Sequence, residues 1–447
     1  GEILAMASRP TFDPNNYNAS PAINRRNFAI NDAYEPGSTM KTVTAAMALE
    51  ENIVNRNTMF YCPGYVKVAS ETITCMQPHG SQTFAQIVEN SCNVGFVRVG
   101  LELGLDKFYQ YLDAFGFGQL TGIDLSGEAT GILVPRASAR TIDLASMAFG
   151  QANAVTPIQL TTAVAAIANG GKLMKPHLLK QVMDGNGKVT QTIEPTLVRQ
   201  VISEGSAQEL CSILEGEVTN GTGKNAYIEG YKVGGKTGTA QKAIPGGGYM
   251  DNEYVVSFIG LAPSNDPRLV CLVVVDAPQG WPIYGGTVAA PAAREILNDS
   301  LRYMGVPLRP TEVKKAQVQN EQVVVPDVVG LTRTQALVSL NSRGFKVQVN
   351  GTGNIVWQQT PRAESKLNQG SQVSITTAVF DKGKPDGEIT VPDVQGKPMK
   401  EVARILSELG LNLFPEGSGL AREQSPAAGQ LIVGGSSVKV LFQPLSQ

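Results

Sequence analysis

The feature of this sequence that most limits its possible folds is a duplication near its end. Residues 325–330 read Val-Pro-Asp-Val-Val-Gly, and residues 391–396 read Val-Pro-Asp-Val-Gln-Gly, an offset of 66 residues. The tripeptide Gln-Thr-Pro at Gln359 returns as Gln-Ser-Pro after 65 residues, and the strand pattern around Val373 returns around Val438 at the same offset. Because three markers recur at a nearly constant period, the sequence predicts two copies of one small domain.

Each copy combines one amphipathic helical pattern, over 332–344 or 397–409, with short strand patterns after it. The sequence therefore predicts two small α+β repeats, at 323–379 and 390–443. Residues 380–389, which contain glycine, lysine, proline and aspartate, are predicted to link them.

The longer first section, residues 1–305, alternates helical and strand patterns, as expected of one large mixed domain. Apolar residues at helical spacing over 38–49, with alanines between them, predict a helix buried on most sides. Two apolar, β-branched runs at 254–261 and 269–275 predict a hairpin in the middle of a sheet, with the second run as a buried strand. Residues 306–322, with two prolines and three glutamines, predict a linker to the repeats.

Composition and charge exclude several classes of protein. The chain is 42% hydrophobic and 17% charged, as in a soluble globular protein. Its formal net charge of -2 argues against a broad basic surface, so nucleic acid is not an expected partner. No apolar run approaches the roughly 18 residues of a membrane span. The sequence opens as if within a strand and without a first methionine, so we expect it to be a fragment of a longer protein.

The cysteines and histidines do not form a known metal-binding pattern. None of the five cysteines has the spacing of a metal knuckle, and His79 and His177 are the two histidines of the chain, so the sequence predicts no metal site. Cys62 and Cys75 lie in a turn-rich stretch, where they form either a disulfide, if the protein is extracellular, or two free thiols. The sequence leaves both alternatives open.

A first candidate for chemistry is the heptapeptide Glu-Pro-Gly-Ser-Thr-Met-Lys, which ends at Lys41. Ser38 stands at the predicted start of the buried helix, and residues three apart share a helix face, so the Lys41 amine can reach the Ser38 hydroxyl. Serine is a good nucleophile only beside a base, and burial or a nearby cation can lower a lysine pKa from about 10.4 towards neutrality. The alternative is a serine that caps the helix, with a solvated lysine after it.

A second candidate is Glu-Asn-Ser-Cys-Asn, residues 89–93, which follows a helical pattern. Ser91 can pass a proton between Lys41 and a leaving group, and the Asn93 amide can hold the backbone of a substrate. The motif carries little weight alone, because serine and asparagine are common in loops.

A third candidate is the glycine-rich run around Lys236-Thr237-Gly238-Thr239, just before the predicted hairpin. Lys236 supplies positive charge towards Lys41, and the hydroxyls of Thr237 and Thr239 suit a carboxylate. Gly238 leaves room for a peptide that adds to the strand edge. A plain glycine-rich hairpin is the alternative, and a phosphate-binding loop is disfavoured because the run leads into a strand instead of a helix.

Ser-x-x-Lys, Ser-x-Asn and Lys-Thr-Gly occur in this order, at residues 38, 91 and 236, within one predicted domain. With the opening Gly-Glu-Ile-Leu-Ala-Met-Ala-Ser-Arg-Pro, Phe-Gly-Gln at 149–151 and Val-Thr-Pro at 155–157, they make the sequence resemble the class B penicillin-binding proteins, in particular the Gram-positive division and sporulation transpeptidases. The repeats resemble PASTA domains. Gln-Ala at 151–152 departs from the Gly-Gln-Gly of the family.

The resemblance implies an α+β fold, an αβα transpeptidase domain with an antiparallel sheet followed by two small PASTA repeats, and a D,D-transpeptidase reaction. By the resemblance, Ser38 attacks the D-Ala-D-Ala bond of a stem peptide, the last D-Ala leaves, and the acyl group passes to an amine on a neighbouring strand. Lys41 would be the base, and Ser91 and Asn93 would relay the proton and orient the substrate.

The resemblance also implies how the substrate is held. Lys236, Thr237 and Thr239 would bind its terminal carboxylate, with Gly238 on the same strand. The backbone amides of Ser38 and Thr239 would form the oxyanion hole. β-Lactams, as mimics of D-Ala-D-Ala, would acylate the same serine.

Partners and location follow from the same resemblance. The expected partners are peptidoglycan stem peptides, β-lactam antibiotics, a membrane glycosyltransferase and proteins of division or sporulation. No cofactor is expected. The expected location is the extracytoplasmic face of the cell membrane, with an N-terminal anchoring helix that this sequence does not include.

Two alternatives remain. A serine β-lactamase of class A shares the three motifs, but its family has a Glu-x-x-Leu-Asn segment between the second and third motifs, and none lies between Asn93 and Lys236. The other is a catalytically inert β-lactam or peptidoglycan sensor, which the complete set of motif residues disfavours. For the repeats a spacer or docking surface is the default, and Trp357 is expected in the core of the first copy.

Overall fold

In the computed structural model, the chain divides into two units, Gly1–Thr311 and Glu312–Gln447. The residues that the structure describes are 1–244, 248–280, 282–308, 322–341, 343–351, 353, 355–368, 370–378, 388–433 and 436–443. Most of the predicted linkers 306–322 and 380–389 lies outside the described residues.

The first unit mixes helices and antiparallel strands. Its helices are α1 (Phe28–Asn31), α2 (Lys41–Glu50), α3 (Phe84–Glu89), α4 (Asn93–Ala114), α5 (Thr141–Ala148), α6 (Pro157–Ala168), α7 (Glu204–Thr219) and α8 (Gly285–Tyr303). Its strands are β1 (Met59–Cys62), β2 (Tyr65–Val68), β3 (Glu71–Thr74), β4 (Gly80–Thr83), β5 (Lys172–Met174), β6 (Gln181–Met183), β7 (Val189–Thr192), β8 (Leu197–Gln200), β9 (Gly234–Ala243), β10 (Tyr249–Ala262) and β11 (Leu269–Asp276).

Helix α2 lies in the centre of the first unit, as its sequence predicts. Met40, just before it, and Val43 and Met47 within it are each at most 1% exposed. The alanines between them let α2 pack closely against α4, α6 and α7. Burying each large apolar side chain contributes roughly 1.5–3 kcal/mol, so this helix fixes the position of the residues at its N-terminus.

Strands β9, β10 and β11 form an antiparallel sheet in the order β11-β10-β9. Neighbouring side chains of β10 face opposite helical layers, because Phe258 belongs to the cluster around α8 and Ile259 to the cluster around α2. This is the expected helix–sheet–helix arrangement. The predicted hairpin is confirmed, but 269–275 is half-buried instead of buried and lies at one end of the described sheet.

The second unit contains two similar sets of elements. The first set is β12 (Gln322–Val324), α9 (Arg333–Asn341), β13 (Lys346–Asn350), β14 (Ile355–Thr360), β15 (Lys366–Asn368) and β16 (Gln372–Ala378). The second set is β17 (Glu388–Thr390), α10 (Met399–Glu408), β18 (Asn412–Gly417), β19 (Leu420–Ser425), β20 (Leu431–Val433) and β21 (Ser437–Gln443). The sheet orders β13-β16-β14 and β18-β21-β19 have the same mixture of parallel and antiparallel pairing, which confirms the duplication.

One glutamine per repeat explains why its two sequence markers recur together. Gln359 donates to the carbonyl of Pro326 at 3.0 Å and accepts from the backbone N–H of Val328 at 2.7 Å. Gln424 makes the same two bonds in the second repeat, each at 2.9 Å. The side chain thus ties the Val-Pro-Asp-Val segment to the following strands.

The prediction for Trp357 is wrong. Its ring is half-buried, and the Lys400 ammonium of the second repeat lies 4.9 Å from the ring centroid. A cavity of about 450 Å³ beside it is lined by Val329 and Ile355 of the first repeat and Met399 of the second. Trp357 therefore lies at the contact between the repeats instead of in the core of the first.

Candidate active site

A tight turn presents Ser38 at the entrance to α2. Gly37 adopts a φ of +54°, a left-handed conformation that favours glycine, and its N–H donates to the carbonyl of Gly150 at 2.9 Å. The Thr39 hydroxyl closes the turn by donating to the carbonyl of Pro36 at 2.7 Å. The turn is a 3-10 helix that runs directly into α2, so half-buried Ser38 stands on a rigid support.

Lys41 is wholly buried and collects the residues of the second motif. Its Nζ donates to the Ser91 carbonyl at 2.7 Å, the Asn93 Oδ1 at 2.7 Å and the Ser91 Oγ at 3.2 Å. The sequence predicts that the amine can reach the Ser38 hydroxyl, and this stays a prediction. The hydrogen bonds described for this amine go to Ser91 and Asn93, so the second motif holds it beside the serine turn.

Surroundings lower the pKa of Lys41 to about 7. Burial is the largest cause, and the positive charge of Lys236 adds to it, while the thiols of Cys75 and Cys92 oppose both. An amine with this pKa is about half neutral at pH 7, whereas an ordinary lysine is almost wholly charged. The geometry thus supplies a lysine that can accept a proton.

The loop between α3 and α4 holds the second motif in a constrained shape. Ser91 has a φ of +52°, which is uncommon for a residue other than glycine. The Asn93 side chain donates to the carbonyl of Thr74 at 2.9 Å, so a hairpin strand orients the amide that receives Lys41. Cys92 caps α4 through its sulfur, which accepts from the N–H of Gly95 at 3.4 Å.

Strand β9 carries the third motif against the serine turn. A Cβ added to Gly238 would lie 2.4 Å from the Ser257 Oγ of β10, 3.0 Å from the Pro36 carbonyl oxygen and 3.0 Å from the Thr39 side chain. Glycine at this position therefore lets β9 lie close to both β10 and the turn, and its predicted role of making room for a peptide stays a prediction. In the part of the chain that the structure describes, β9 is the edge of its sheet, so its outer side remains open to an added strand.

A buried carboxylate that sequence reasoning missed organises the third motif. Glu217 of α7 lies 3.2 Å from the Nζ of Lys236, and both side chains are completely buried. The same carboxylate accepts from the N–H and hydroxyl of Thr237, at 3.2 and 3.1 Å. Burial lowers the pKa of Lys236, and the Glu217 charge opposes this effect.

The two threonine hydroxyls of the motif already have partners within the protein. Thr237 shares a hydrogen bond of 2.5 Å with Thr222, and the Thr239 hydroxyl accepts from the N–H of Gly285 at 3.2 Å. A threonine hydroxyl has one donor and two acceptor positions. Their predicted role in binding a carboxylate stays a prediction.

Three cysteines and one histidine lie close to one another beside the second motif. The sulfurs of Cys62, Cys75 and Cys92 and a ring nitrogen of His79 all lie within 4.8 Å of one another, and the cysteines are free. Hydrogen bonds from the Cys92 thiol, the His79 ring and backbone N–H groups lower the pKa of Cys75 to about 3. The sequence predicts no metal site, whereas the fold brings together donors that can hold a metal ion.

None of the helices within the described residues combines the length and the apolar character that crossing a membrane requires.

Comparison with known proteins places the site in a family. The profile described as penicillin binding protein transpeptidase domain matches residues 1–298, and the PASTA domain profile matches 323–379 and 389–444. Stage V sporulation protein D of Bacillus subtilis is 44% identical over 385 residues, which are 84% of this chain and 59% of that protein. The chain spans between 50% and 59% of the length of the curated relatives it matches.

Solved structures agree. Penicillin binding protein 3 of Mycobacterium tuberculosis, complexed with ampicillin, matches with a TM-score of 0.61 and 29% identity over 67% of this chain and 68% of that one. Penicillin Binding Protein 2X of Streptococcus thermophilus matches with a TM-score of 0.60 and 25% identity over 97% of this chain and 65% of that one. The chain therefore belongs to the penicillin-binding protein transpeptidase family, as a class B member that carries two PASTA domains.

Proposed function

We propose that this chain is the transpeptidase part of a cell-wall synthase that cross-links peptidoglycan stem peptides through an acyl-enzyme on Ser38. The observation that carries the proposal is the wholly buried Lys41, whose amine is held by Ser91 and Asn93 next to the Ser38 turn. Curated relatives named peptidoglycan D,D-transpeptidases support the same reaction.

In the first half of the reaction, the Ser38 Oγ attacks the carbonyl carbon between two D-alanines. The Oγ–C bond forms, the C–N bond breaks, and the hydroxyl proton moves by way of Lys41 and Ser91 to the departing D-alanine amine. The backbone amides of Ser38 and Thr239 stabilise the oxyanion. In the second half, an amine of a neighbouring stem peptide attacks the acyl carbon: the new C–N bond forms, the Oγ–C bond breaks, and a proton of the amine passes to the Ser38 Oγ, which restores the hydroxyl.

Strand β9 holds the substrate in this proposal. The peptide adds to the open edge of β9, and its terminal carboxylate lies near Lys236, Thr237 and Thr239. Glu217 favours the charged form of Lys236 at this end of the cleft, and the Asn93 amide orients the peptide backbone. The site thus separates a carboxylate-binding end from the proton-transfer end at Lys41.

Labelling with a fluorescent penicillin tests the proposal. The expected result is a long-lived covalent adduct that mass spectrometry maps to Ser38, is absent from Ser38→Ala and is unchanged in Ser126→Ala, an exposed control. Rapid hydrolysis of the adduct would support the β-lactamase alternative instead. Failure of the native protein to label would support the inert sensor.

The wider context is also a proposal. We assign residues 1–305 to the transpeptidase domain and place it at the extracytoplasmic face of the cell membrane, attached through an N-terminal helix outside this sequence. Its partners would be a membrane glycosyltransferase and other proteins of sporulation or division. The name of the Bacillus subtilis relative favours sporulation.

For the repeats, we propose a spacer or docking role. A chain that ends before residue 323 would then bind muropeptides as well as the full chain does. Weaker binding by the shortened chain would assign ligand recognition to the repeats.

A further inference from the structure

Four metal-ligating side chains come from four different places in the first unit. Cys62 ends β1, Cys75 follows β3, His79 precedes β4, and Cys92 caps the N-terminus of α4. Their donor atoms lie within 4.8 Å of one another. Cys62 and Cys92 are buried and the other two half-buried, so the fold encloses the donors and leaves little room for solvent.

Two of the distances between donor atoms match those of a tetrahedral zinc site. Zinc binds sulfur at about 2.3 Å and imidazole nitrogen at about 2.0–2.1 Å, so ligands at tetrahedral angles lie about 3.8 Å apart for two sulfurs and about 3.6 Å for sulfur and nitrogen. The sulfurs of Cys75 and Cys92 are 3.9 Å apart, and the Cys75 sulfur is 3.6 Å from the Nδ1 of His79. The remaining pairs of donor atoms lie within 4.8 Å of one another.

Backbone N–H groups of α4 already surround the sulfurs. The N–H of Asn93 donates to the Cys75 sulfur at 3.3 Å, and the N–H of Gly95 donates to the Cys92 sulfur at 3.4 Å. Such donors, at the positive N-terminal end of α4, stabilise thiolates, and thiolates are the form in which cysteine binds a metal.

We propose that Cys62, Cys75, His79 and Cys92 bind one Zn²⁺ in a closed structural site. With four protein ligands, the ion has no open position for substrate and so takes no part in the chemistry. Its function is to fix the loop of the second motif, because Cys92 lies between Ser91 and Asn93. This positioning role rests on the proposed function, whereas zinc binding itself does not.

A disulfide explains the cluster less well. A disulfide between Cys75 and Cys92 would use two of the four donors and would not account for the positions of Cys62 and His79 beside them. The Cys62–Cys75 bridge that the sequence left open would likewise ignore Cys92 in the same cluster. A single tetrahedral ion uses all four side chains, and it is the arrangement that the structure favours.

Metal content of the full chain tests the site. The protein is reduced, incubated with a small excess of Zn²⁺, passed through a desalting column and analysed by elemental mass spectrometry. We expect one zinc per chain, and we expect Co²⁺ in its place to give the visible absorption of tetrahedral cobalt with thiolate ligands. A native protein that leaves the column without zinc, or whose mapped peptides show a disulfide within the cluster under these reducing conditions, would overturn the proposal.

Variants separate zinc binding from general damage to the fold. His79→Ala should lose bound zinc, whereas His79→Cys, which supplies a fourth thiolate, should regain it. Cys271→Ala, outside the cluster, should keep it. Retention of zinc by His79→Ala, or its loss from Cys271→Ala alone, would contradict the assignment of ligands.

Penicillin labelling then tests the positioning role. Removing zinc with a chelator should slow acylation of Ser38, and adding Zn²⁺ back should restore it in the native protein and in His79→Cys but not in His79→Ala. Zinc binding with an unchanged acylation rate would refute the positioning role. Zinc binding by a protein that never labels would count against the proposed function and leave the metal site intact.

Discussion

Two lysines of the candidate active site, Lys41 and Lys236, are both completely buried, but their partners differ. Lys236 lies 3.2 Å from the carboxylate of Glu217. Lys41 has the uncharged oxygens of Ser91 and Asn93 as its acceptors, at 2.7 to 3.2 Å. Burial lowers the pKa of both lysines, but Glu217 opposes this effect at Lys236, and the charge of Lys236 adds to it at Lys41.

The difference shows how one buried site can hold a cation and a base side by side. A buried ammonium is costly unless a carboxylate pairs with it. Lys236 meets this condition and can remain charged to attract the carboxylate of a substrate. The described acceptors of Lys41 are uncharged, so a large fraction of its amine is neutral near pH 7. The positive charge of Lys236 therefore helps to lower the pKa of Lys41, which increases the fraction of the amine that is neutral and can accept a proton.

Replacing Lys41 should have the largest effect, and it should act on the rate of acylation. Lys41→Gln keeps a hydrogen-bond donor for Ser91 and Asn93 but removes the proton acceptor. We expect the rate of penicillin acylation to fall by about 10²–10⁴-fold, the usual contribution of a general base. Stopped-flow measurement with a fluorescent penicillin gives the rate, and Lys107→Gln, at a partly exposed lysine, serves as the control. A fall of less than tenfold would mean that another group takes the proton.

Removing the carboxylate that pairs with Lys236 should mainly lower the free energy of unfolding. Glu217→Gln leaves Lys236 buried without a carboxylate, so we expect the free energy of unfolding to fall by about 3–5 kcal/mol. Removing both charges, as Glu217→Gln with Lys236→Met, should cost less than the single change. Urea unfolding of the two variants makes the comparison, and equal or greater loss in the double variant would contradict the role of the ion pair.

The pH dependence of acylation should show how strongly Lys236 affects the pKa of Lys41. The base must be neutral, so the acylation rate should rise with pH through about 7 and level off above it, following the pKa of Lys41. Lys236→Met removes the nearby positive charge, so the rise should move to higher pH. Cys75 and Cys92 face the same amine and act in the opposite direction. Zinc with three thiolates carries one net negative charge, as a lone Cys75 thiolate does, so the direction holds with metal bound.

Rate constants of the native protein and Lys236→Met, measured over the same pH range, would show the shift. An unchanged midpoint would mean that the two lysines are not electrostatically coupled.

Breaking the exposed Lys232–Glu215 pair should have the smallest effect on the free energy of unfolding. Lys232 lies 3.3 Å from Glu215, but its side chain is 52% exposed. Water screens such pairs, and Glu215 keeps a hydrogen bond of 2.7 Å from the Ser264 hydroxyl, so Lys232→Ala should change the free energy of unfolding by at most about 1 kcal/mol. A loss as large as that of Glu217→Gln would show that burial does not set the difference between the pairs.

The sequence predicts the parts of this site that depend on local spacing. Apolar periodicity identifies the helix that supports Ser38, and a three-residue spacing places Lys41 at the same helix end. The partners of Lys41 are 50 and 52 residues away, and local pattern contains no information about such contacts. For this reason the spacing predicts that the amine can reach Ser38, and only the fold shows its hydrogen bonds with Ser91 and Asn93.

Two further features were missed for different reasons. Glu217 follows Leu210, Ile213 and Leu214 at helical spacing, so the sequence pattern places it on the buried face of α7. The zinc donors are separated by 13, 4 and 13 residues, which matches no short metal motif. Only the pairing of β1 with β4 and of β2 with β3 brings Cys62, Cys75 and His79 towards Cys92.

Titration of the Lys41 amine is the most direct test of its role as the base. Nuclear magnetic resonance of protein labelled at the lysine side chains can follow this group, with Lys41→Gln to assign its signal. We expect a midpoint near pH 7. A midpoint near the ordinary lysine value of about 10.4 would mean that the amine is always charged when the enzyme works, and that Lys41 is not the base.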